Sequence, residues 1–235
     1  MINPIKKVMK PIVKKIIKIP LIHKCLDRVY FLSFPSSQFY WEHRYVRGGI
    51  SGEGSYNRLA EFKADTLNSF VKENDIESVI DFGCGDGNQL SLANYPQYIG
   101  LDVSPTAIKI CKKRFAHDNS KSFFLYDSLC FVDNHNIFQA DLTLSLDVIY
   151  HLIEDDIFND YMESLFSSSK QFVIIYSSNH NRAQTYYDKD REFTKWIEQN
   201  APNWRLFKKI DNKYPYDSSD PFNTSKADFY IFKKL

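Results

Sequence analysis

The sequence predicts an α/β fold, a mostly parallel sheet covered by helices on both faces. Three observations predict it. From Tyr56 onward, segments of helical and strand period alternate along the chain. A glycine-rich stretch, Asp81-Phe82-Gly83-Cys84-Gly85-Asp86-Gly87-Asn88, sits where a short apolar run ends and a helical pattern opens. The 235 residues, 43% hydrophobic and 25% charged, suit one ordinary domain with an appendage and enough apolar side chains for a real core. This composition excludes a mainly disordered chain, a Cys-stapled scaffold and a multi-pass membrane protein.

Residues 1–24 carry seven lysines and no acid. On a helical wheel Ile5, Val8, Met9, Ile12, Val13, Ile16 and Ile19 share one face and Lys6, Lys7, Lys10, Lys14 and Lys18 the other. Pro11 interrupts this helix and Pro20 ends it. The segment is too short and too charged to span a bilayer or serve as a secretory signal. A Lys-only polar face suits the surface of an anionic membrane; the alternative is that the Ile face docks on the body of the protein or on a second subunit. Without those seven lysines the chain has 23 basic against 29 acidic residues. A net-acidic body is poorly suited to gripping a phosphate backbone, so no nucleic-acid partner is expected. Cys25, Cys84, Cys111 and Cys130 form no CxxC pair and have no His at zinc spacing, so they read as reduced thiols and no metal site is expected. The expected location is cytoplasmic, peripheral at the inner face of a membrane through residues 1–24.

Residues 25–56, rich in aromatics, Gly and Ser, read as a loop with a short helix, either a lid over a ligand or a strap on the domain. Residues 57–235 read as the main domain. Within it Arg58–Glu73, Asn88–Asn94, Pro105–Ala116, Glu154–Ser167 and Arg191–Asn200 read as helices. Ser78–Phe82, Tyr98–Val103, Phe123–Tyr126, Leu142–Leu146, Phe172–Tyr176, Trp204–Ile210 and Phe229–Lys233 read as strands.

Glycines at alternate positions let a backbone turn tightly and approach a ligand, with free N–H groups at a helix N-terminus. Fifteen residues after Gly87, Asp102 ends the next strand, where a carboxylate can accept both hydroxyls of a ribose. The spacing is G-x-G-x-G rather than the dinucleotide G-x-G-x-x-G, and Asp81 precedes it. That acid would repel a pyrophosphate but could hold the ammonium of an amino-acid moiety. The pattern resembles motif I of class I S-adenosylmethionine-dependent methyltransferases. YWEHRY, GGISGEGSY, FKADTLNSF, SLDVIYHL and ADFYIF further resemble methyltransferases of bacterial surface-glycan biosynthesis loci.

The resemblance implies a Rossmann-like, seven-stranded, mostly parallel sheet with an antiparallel last hairpin, and S-adenosylmethionine as cofactor. It places Asp81, Gly83, Cys84, Gly85, Gly87 and Asn88 at the methionine and sugar parts. Asp102 and Val103 fall at the ribose and adenine edge, Asp127-Ser128 at the adenine amine and Leu146 under the sulfonium. Trp41 and Tyr45 are the candidate lid rings. At the end of the fourth strand Asp147, Tyr150 and His151 are the candidate catalytic residues, with His151 suited to general-base work. Asp147 and His151 face the same way if that segment is helical. Arg44 and Lys63 are candidates for an anionic group or for exposed ion pairs, and Ser177-Ser178-Asn179-His180 for the acceptor pocket. The resembling group carries more His and Arg where this chain has Tyr187, Asp188, Lys189, Asp190 and Arg191. The expected acceptor is a sugar hydroxyl of a surface or lipid-linked glycan. The alternatives are a small-molecule O- or N-methyltransferase and a non-catalytic subunit that recruits a partner to the membrane.

Overall fold

A computed structural model describes residues 34, 36–182 and 184–235. The amphipathic helix expected over residues 1–24 lies outside the described residues. Seven strands form one sheet: β1 (Ser78–Phe82), β2 (Gln97–Asp102), β3 (Lys121–Leu125), β4 (Ala140–Leu146), β5 (Ser169–Ser177), β6 (Trp204–Ile210) and β7 (Asp228–Lys234). Their order is β3-β2-β1-β4-β5-β7-β6. The first five strands are mutually parallel and β7 runs antiparallel to both neighbours, as the resemblance implied. The direction of winding reverses between β1 and β4, so the crevice beyond their carboxyl ends is the natural ligand position.

Strand periodicity divides the core into two layers. Val79, Leu142, Leu144, Phe172, Ile174 and Ile231 point to the face covered by helix α2 (Asn57–Glu73), which brings Leu67, Phe70 and Val71. Ile80, Phe82, Val173, Ile175 and Phe232 point to the opposite face, covered by α4 (Asp155–Ser167) and α5 (Phe193–Asn200). On that side β4 presents Thr143 and Ser145, both fully buried, and each finds a partner. Thr143 donates to the Leu165 carbonyl at 2.9 Å, and the Tyr161 hydroxyl lies 2.7 Å from Ser145 Oγ and 2.9 Å from the Phe82 carbonyl. The expected helix in residues 25–56 is α1 (Ser37–Val46), and α3 (Pro105–Arg114) follows β2.

The helix expected over Asn88–Asn94 does not form; only a single 3-10 turn, Leu90–Leu92, is present. The cause lies in another element. Asn68 of α2 donates to the Leu92 carbonyl at 2.9 Å and accepts from the Asn94 N–H at 2.8 Å. It thereby captures groups that a continuing helix would pair internally, and Ala93 turns to extended backbone. The last helix starts at Phe193 rather than Arg191, because the Arg191 guanidinium is tied back to the carbonyls of Leu152 and Ile153.

Asn68→Ala is therefore expected to lower unfolding free energy by about 1–2 kcal/mol, two hydrogen bonds' net worth. Urea denaturation checks this against Ser69→Ala, an exposed neighbour expected to stay within about 0.5 kcal/mol of the parent. Equal midpoints for both variants would refute the clasp.

Candidate active site

The chain leaves β1 through three glycines in the left-handed region, Gly83 (φ 93°), Gly85 (φ 57°) and Gly87 (φ 73°). A Cβ on Gly83 would lie 2.5 Å from Val148 Cγ2, and one on Gly85 would run into Ser51 Oγ and sit 2.9 Å from the Tyr45 hydroxyl. Close approach, as well as φ, therefore demands glycine. The N–H groups of this loop are not free. Gly83 and Cys84 donate to the Leu101 carbonyl, Gly85 to Asp102, Asp86 to Ser51 Oγ, Gly87 to the Cys84 carbonyl and Asn88 to Asp86. The loop thus corrects the expectation of free donors at a helix N-terminus: both the donors and the helix are absent, and with them the cradle a pyrophosphate needs.

Two carboxylates stand at the strand ends with different environments. Asp102 accepts the Gly85 N–H on one oxygen at 2.9 Å and the Ser104 N–H on the other at 2.8 Å. Burial pushes its carboxyl up to about 6 against those two bonds. Each oxygen keeps a second lone pair for a ligand hydroxyl, but its structural work is to tie the glycine loop to β2. Asp81 accepts only the Tyr98 hydroxyl at 2.9 Å, and its Oδ1 is buried with no partner among the described residues. Burial pushes its carboxyl up to about 7, against the Tyr98 bond and the charge of Lys63. An orphaned carboxylate oxygen facing a cavity fits the α-ammonium of S-adenosylmethionine.

That cavity gathers most of the expected residues. Asp81, Gly83, Cys84 and Gly85 line it from β1 and its loop, and Asp102 and Val103 from β2. Asp127 and Ser128 line it after β3, and Leu146, Asp147 and His151 after β4. Trp41 and Tyr45 of α1 close it from above. Gly87 and Asn88 do not line it. Gly87 packs under Phe115 and Cys111, and Asn88 donates to the Ser55 carbonyl at 2.8 Å. Cys84 is buried; contact with Cys111 and burial push its thiol up, so it is a packing residue rather than a thiolate.

Several residues of this site carried no motif. Glu42 of α1 accepts from Ser104 Oγ, Thr106 Oγ1 and the Thr106 N–H at 2.5, 2.7 and 3.1 Å, clasping α1 to the start of α3. Ser37 clasps the other end, with its hydroxyl 2.6 Å from Glu154 Oε2 and 2.8 Å from the His151 carbonyl. Asp86 accepts from the Ser51 N–H and the Tyr56 hydroxyl, fixing the Gly52–Ser55 region to the loop. Ser104 sits one residue before the proline that opens α3, a legible N-cap. Glu42 and Ser37 act across more than sixty residues and left no local trace.

The helix that would turn Asp147 and His151 the same way does not form. Asp147 sits in the left-handed region (φ 60°), and a 3-10 turn, Ile149–His151, follows it. Its carboxylate is held by Lys63 Nζ at 2.6 Å and by the Tyr150 hydroxyl at 2.9 Å. Lys63 is wholly buried, not an exposed ion-pair residue, and burial pushes the Tyr150 hydroxyl well above its ordinary value so that it stays a donor. His151 is instead faced by Asp188, whose Oδ1 lies 2.9 Å from Nδ1, and by the Tyr187 carbonyl at 3.1 Å. The Tyr187 carbonyl can only accept, so it places the proton of the neutral ring at Nδ1 and leaves Nε2 as the unprotonated nitrogen; Asp188 Oδ1 is close enough for an ion pair but makes no hydrogen bond. Nε2 makes no hydrogen bond among the described residues.

His151 and Asp147 also line a second cavity beyond them, with Tyr40, Trp41, Arg44, Tyr150, Tyr187 and Lys226. His180 lines it as expected, whereas Ser177 and Ser178 are buried and Asn179 is bonded to Thr194. No group of three or more His, Cys, Asp or Glu residues able to hold a metal ion occurs among the described residues.

A methyltransferase domain family model matches residues 73–227. A small RNA 2'-O-methyltransferase of Arabidopsis thaliana is 28% identical over 178 residues, which is 70% of this chain and 18% of that protein. The chain thus spans less than a fifth of the length of the curated relative it matches. Among solved structures, the methyltransferase domain of bacterial CtHen1-C superposes with a TM-score of 0.57 at 23% identity, covering 73% of this chain and 96% of that one. Magnesium protoporphyrin IX methyltransferase from Synechocystis PCC 6803 with bound SAH superposes with a TM-score of 0.56 at 13% identity, covering 76% and 85%. N-methyltransferase NodS from Bradyrhizobium japonicum WM9, also with SAH, gives 0.55 at 13% identity, covering 75% and 87%.

Asp81 must be charged to hold an ammonium, and with its carboxyl raised to about 7 it binds a proton below that pH. Affinity for S-adenosylhomocysteine is therefore expected to fall as pH drops below about 7, approaching tenfold per unit. Calorimetry from pH 8 to 5.5 checks this, and Asp81→Asn should bind more weakly with a flatter profile. Parallel profiles for the two proteins would remove Asp81 from the ammonium site.

Proposed function

The chain belongs to the methyltransferase domain family and is an S-adenosylmethionine-dependent methyltransferase; from that premise we propose that its acceptor is the hydroxyl group of a sugar. The observation that carries this reading is His151, with Nδ1 held by Asp188 and Tyr187 and a free Nε2 on the wall shared by the two cavities. S-adenosylmethionine supplies an electrophilic methyl group for in-line displacement. A hydroxyl nucleophile must lose a proton as it attacks, whereas a carboxylate or a neutral amine attacks without a base. His151 Nε2 takes that proton, and Asp188 balances the resulting imidazolium. Trp41 and Tyr45 cover the first cavity and exclude water, while Asp81 and Asp102 supply acceptors for the cofactor's ammonium and ribose. Tyr40, Trp41, Tyr187, Tyr216 and Phe222 give the second cavity ring faces of the kind that pack on sugar rings.

A glycan acceptor is supported by these rings, by the net-acidic body and by the resemblance to surface-glycan methyltransferases. A second reading, the ribose 2'-hydroxyl of RNA, is favoured by the relative that acts on small RNA. That likeness argues against the exclusion of nucleic acid drawn from charge alone. Both readings need the same base. Membership of the family sets aside the non-catalytic recruiting subunit.

His151→Ala is expected to lower methyl transfer at least tenfold, the low end of general-base effects or slightly below it, with S-adenosylhomocysteine affinity within a few-fold of the parent. Asp188→Asn should also slow turnover while preserving cofactor affinity. Transfer of labelled methyl to glycan fractions and to small RNA, assayed in parallel, checks both the role and the acceptor. Unchanged turnover in His151→Ala would end the base assignment.

A further inference from the structure

The outer part of the second cavity contains a charge arrangement that the methyl-transfer reading does not use. Asp190 has a fully buried side chain. Its Oδ1 accepts from Ser178 Oγ and Lys226 Nζ, each at 2.6 Å. Arg182 Nε lies 2.8 Å and His180 Nε2 3.7 Å from its Oδ2. Burial raises the Asp190 carboxyl, but the Lys226 and Ser178 bonds and the charges of Lys226 and Arg182 outweigh it and hold the group below its ordinary value. One carboxylate is thus faced by two permanent cations and a histidine.

A buried carboxylate needs one well-placed cation to offset its desolvation. Here Lys226 meets that need, and Arg182 is a surplus. Its side chain is 47% exposed, only Nε is engaged, and its terminal nitrogens carry no hydrogen bond or ion pair among the described residues. Arg182, His180 and Lys226 all line the cavity that His151 borders. Arg44 lines the same cavity from α1, with Nε on the Ile50 carbonyl and its guanidinium over the Trp41 ring at 5.6 Å. Two of the acids that line this space are committed, Asp147 to Lys63 and Tyr150 and Asp188 to His151, and Asp190 lies buried behind it. Glu53 is exposed at the rim.

We infer that Arg182, backed by Asp190 and flanked by His180 and Lys226, forms a subsite for an oxyanion, a phosphate or carboxylate carried by the acceptor next to the sugar that is methylated. This rests on the reading that the second cavity takes the acceptor. The guanidinium fork gives two parallel donors to such a group, and the ion pair of Nε with Asp190 sets the fork beside the cavity. The segment that differs from the resembling group, around residues 187–191, is the one that supplies Asp190.

The test uses the whole 235-residue chain saturated with S-adenosylhomocysteine, titrated by NMR with inorganic phosphate, glucose, glucose 6-phosphate and glucuronate. Glucose 6-phosphate is expected to bind about tenfold tighter than glucose, the scale of one charge-assisted hydrogen-bond pair. Arg182→Ala should remove most of that preference and weaken inorganic phosphate, leaving glucose and S-adenosylhomocysteine affinity unchanged. Arg182→Lys should recover part of it, and glucuronate against the phosphate ester separates carboxylate from phosphate recognition. Phosphate binding lost in Arg182→Ala, with no sugar bound by either protein, would sink the sugar reading and leave the subsite standing. Equal anion binding by parent and Arg182→Ala, or no phosphate binding at all, would overturn the subsite.

Discussion

The buried pair between Lys63 and Asp147 is the joint on which the site is assembled. An ammonium with no solvent exposure is tolerable only beside a charge it neutralises, and removing one partner of such a pair costs roughly 3–5 kcal/mol. Lys63 comes from the face of α2 that packs on the sheet, and Asp147 from the turn after β4, so the pair pins a helix to the carboxyl edge of the strands. Once Asp147 is held in its left-handed conformation, its other oxygen takes the Tyr150 hydroxyl, and the 3-10 turn that follows carries His151 to the wall between the cavities. The approach of the Gly52–Ser55 region depends on the same carboxylate, since a Cβ on Gly54 would lie 2.7 Å from Asp147 Oδ2. Lys63 also lowers the Asp81 carboxyl through space, so a single buried charge acts on both ends of the site.

Hydrogen-bond count separates the roles of the two strand-end acids. Both are buried and both are raised by it, but Asp102 holds two backbone N–H groups where Asp81 holds one phenol. Asp102 therefore spends much of its bonding on shaping the glycine loop, and Asp81 keeps an oxygen for a ligand. The loop donors are consumed by the same arrangement. A surface with spent donors and an orphaned acceptor favours a cationic group over a pyrophosphate, which is the choice the G-x-G-x-G spacing and Asp81 had indicated.

Much of this was legible in the sequence because it is local. The short apolar run SVIDF, buried along most of its length, reads as β1 at its observed limits, and Asp81, Gly83, Gly85 and Asp102 lie on consecutive elements of the crevice they were expected to line. Lys63 had a readable signal as well: Leu59 and Leu67, four residues to either side, place it on an apolar face where a lysine needs a buried partner. What could not be read depends on distant chain. Asn68 ends the turn after the glycine loop from another helix, and Asp188 reaches His151 across a gap in sequence that no period encodes. The Asp147–His151 spacing puts the two on one face only in a helix; a left-handed residue and a 3-10 turn stand there instead, and each side chain finds a different partner.

Helix α1 connects these parts. Glu42 fastens it to the start of α3, Ser37 to the segment after His151, and Tyr45 to Ser51 beside the glycine loop. It also meets the segment that faces His151: the rings of Tyr40 and Tyr187 stack at 5.5 Å with an interplanar angle of 5°. Tyr187 also presents its carbonyl to His151 Nδ1, and Asp188 follows it directly. Trp41, one residue from Tyr40, meets the His151 ring edge-on at 4.9 Å. The helix that roofs the first cavity is therefore in contact with both His151 and the residues beside its Nδ1. Displacing α1 would open the cofactor cavity and, in the same movement, remove the ring support of Tyr187 and of His151. Enclosure of the first cavity and orientation of His151 are thus a single packing arrangement, built from aromatic side chains, 16% of the sequence, that only the fold could place.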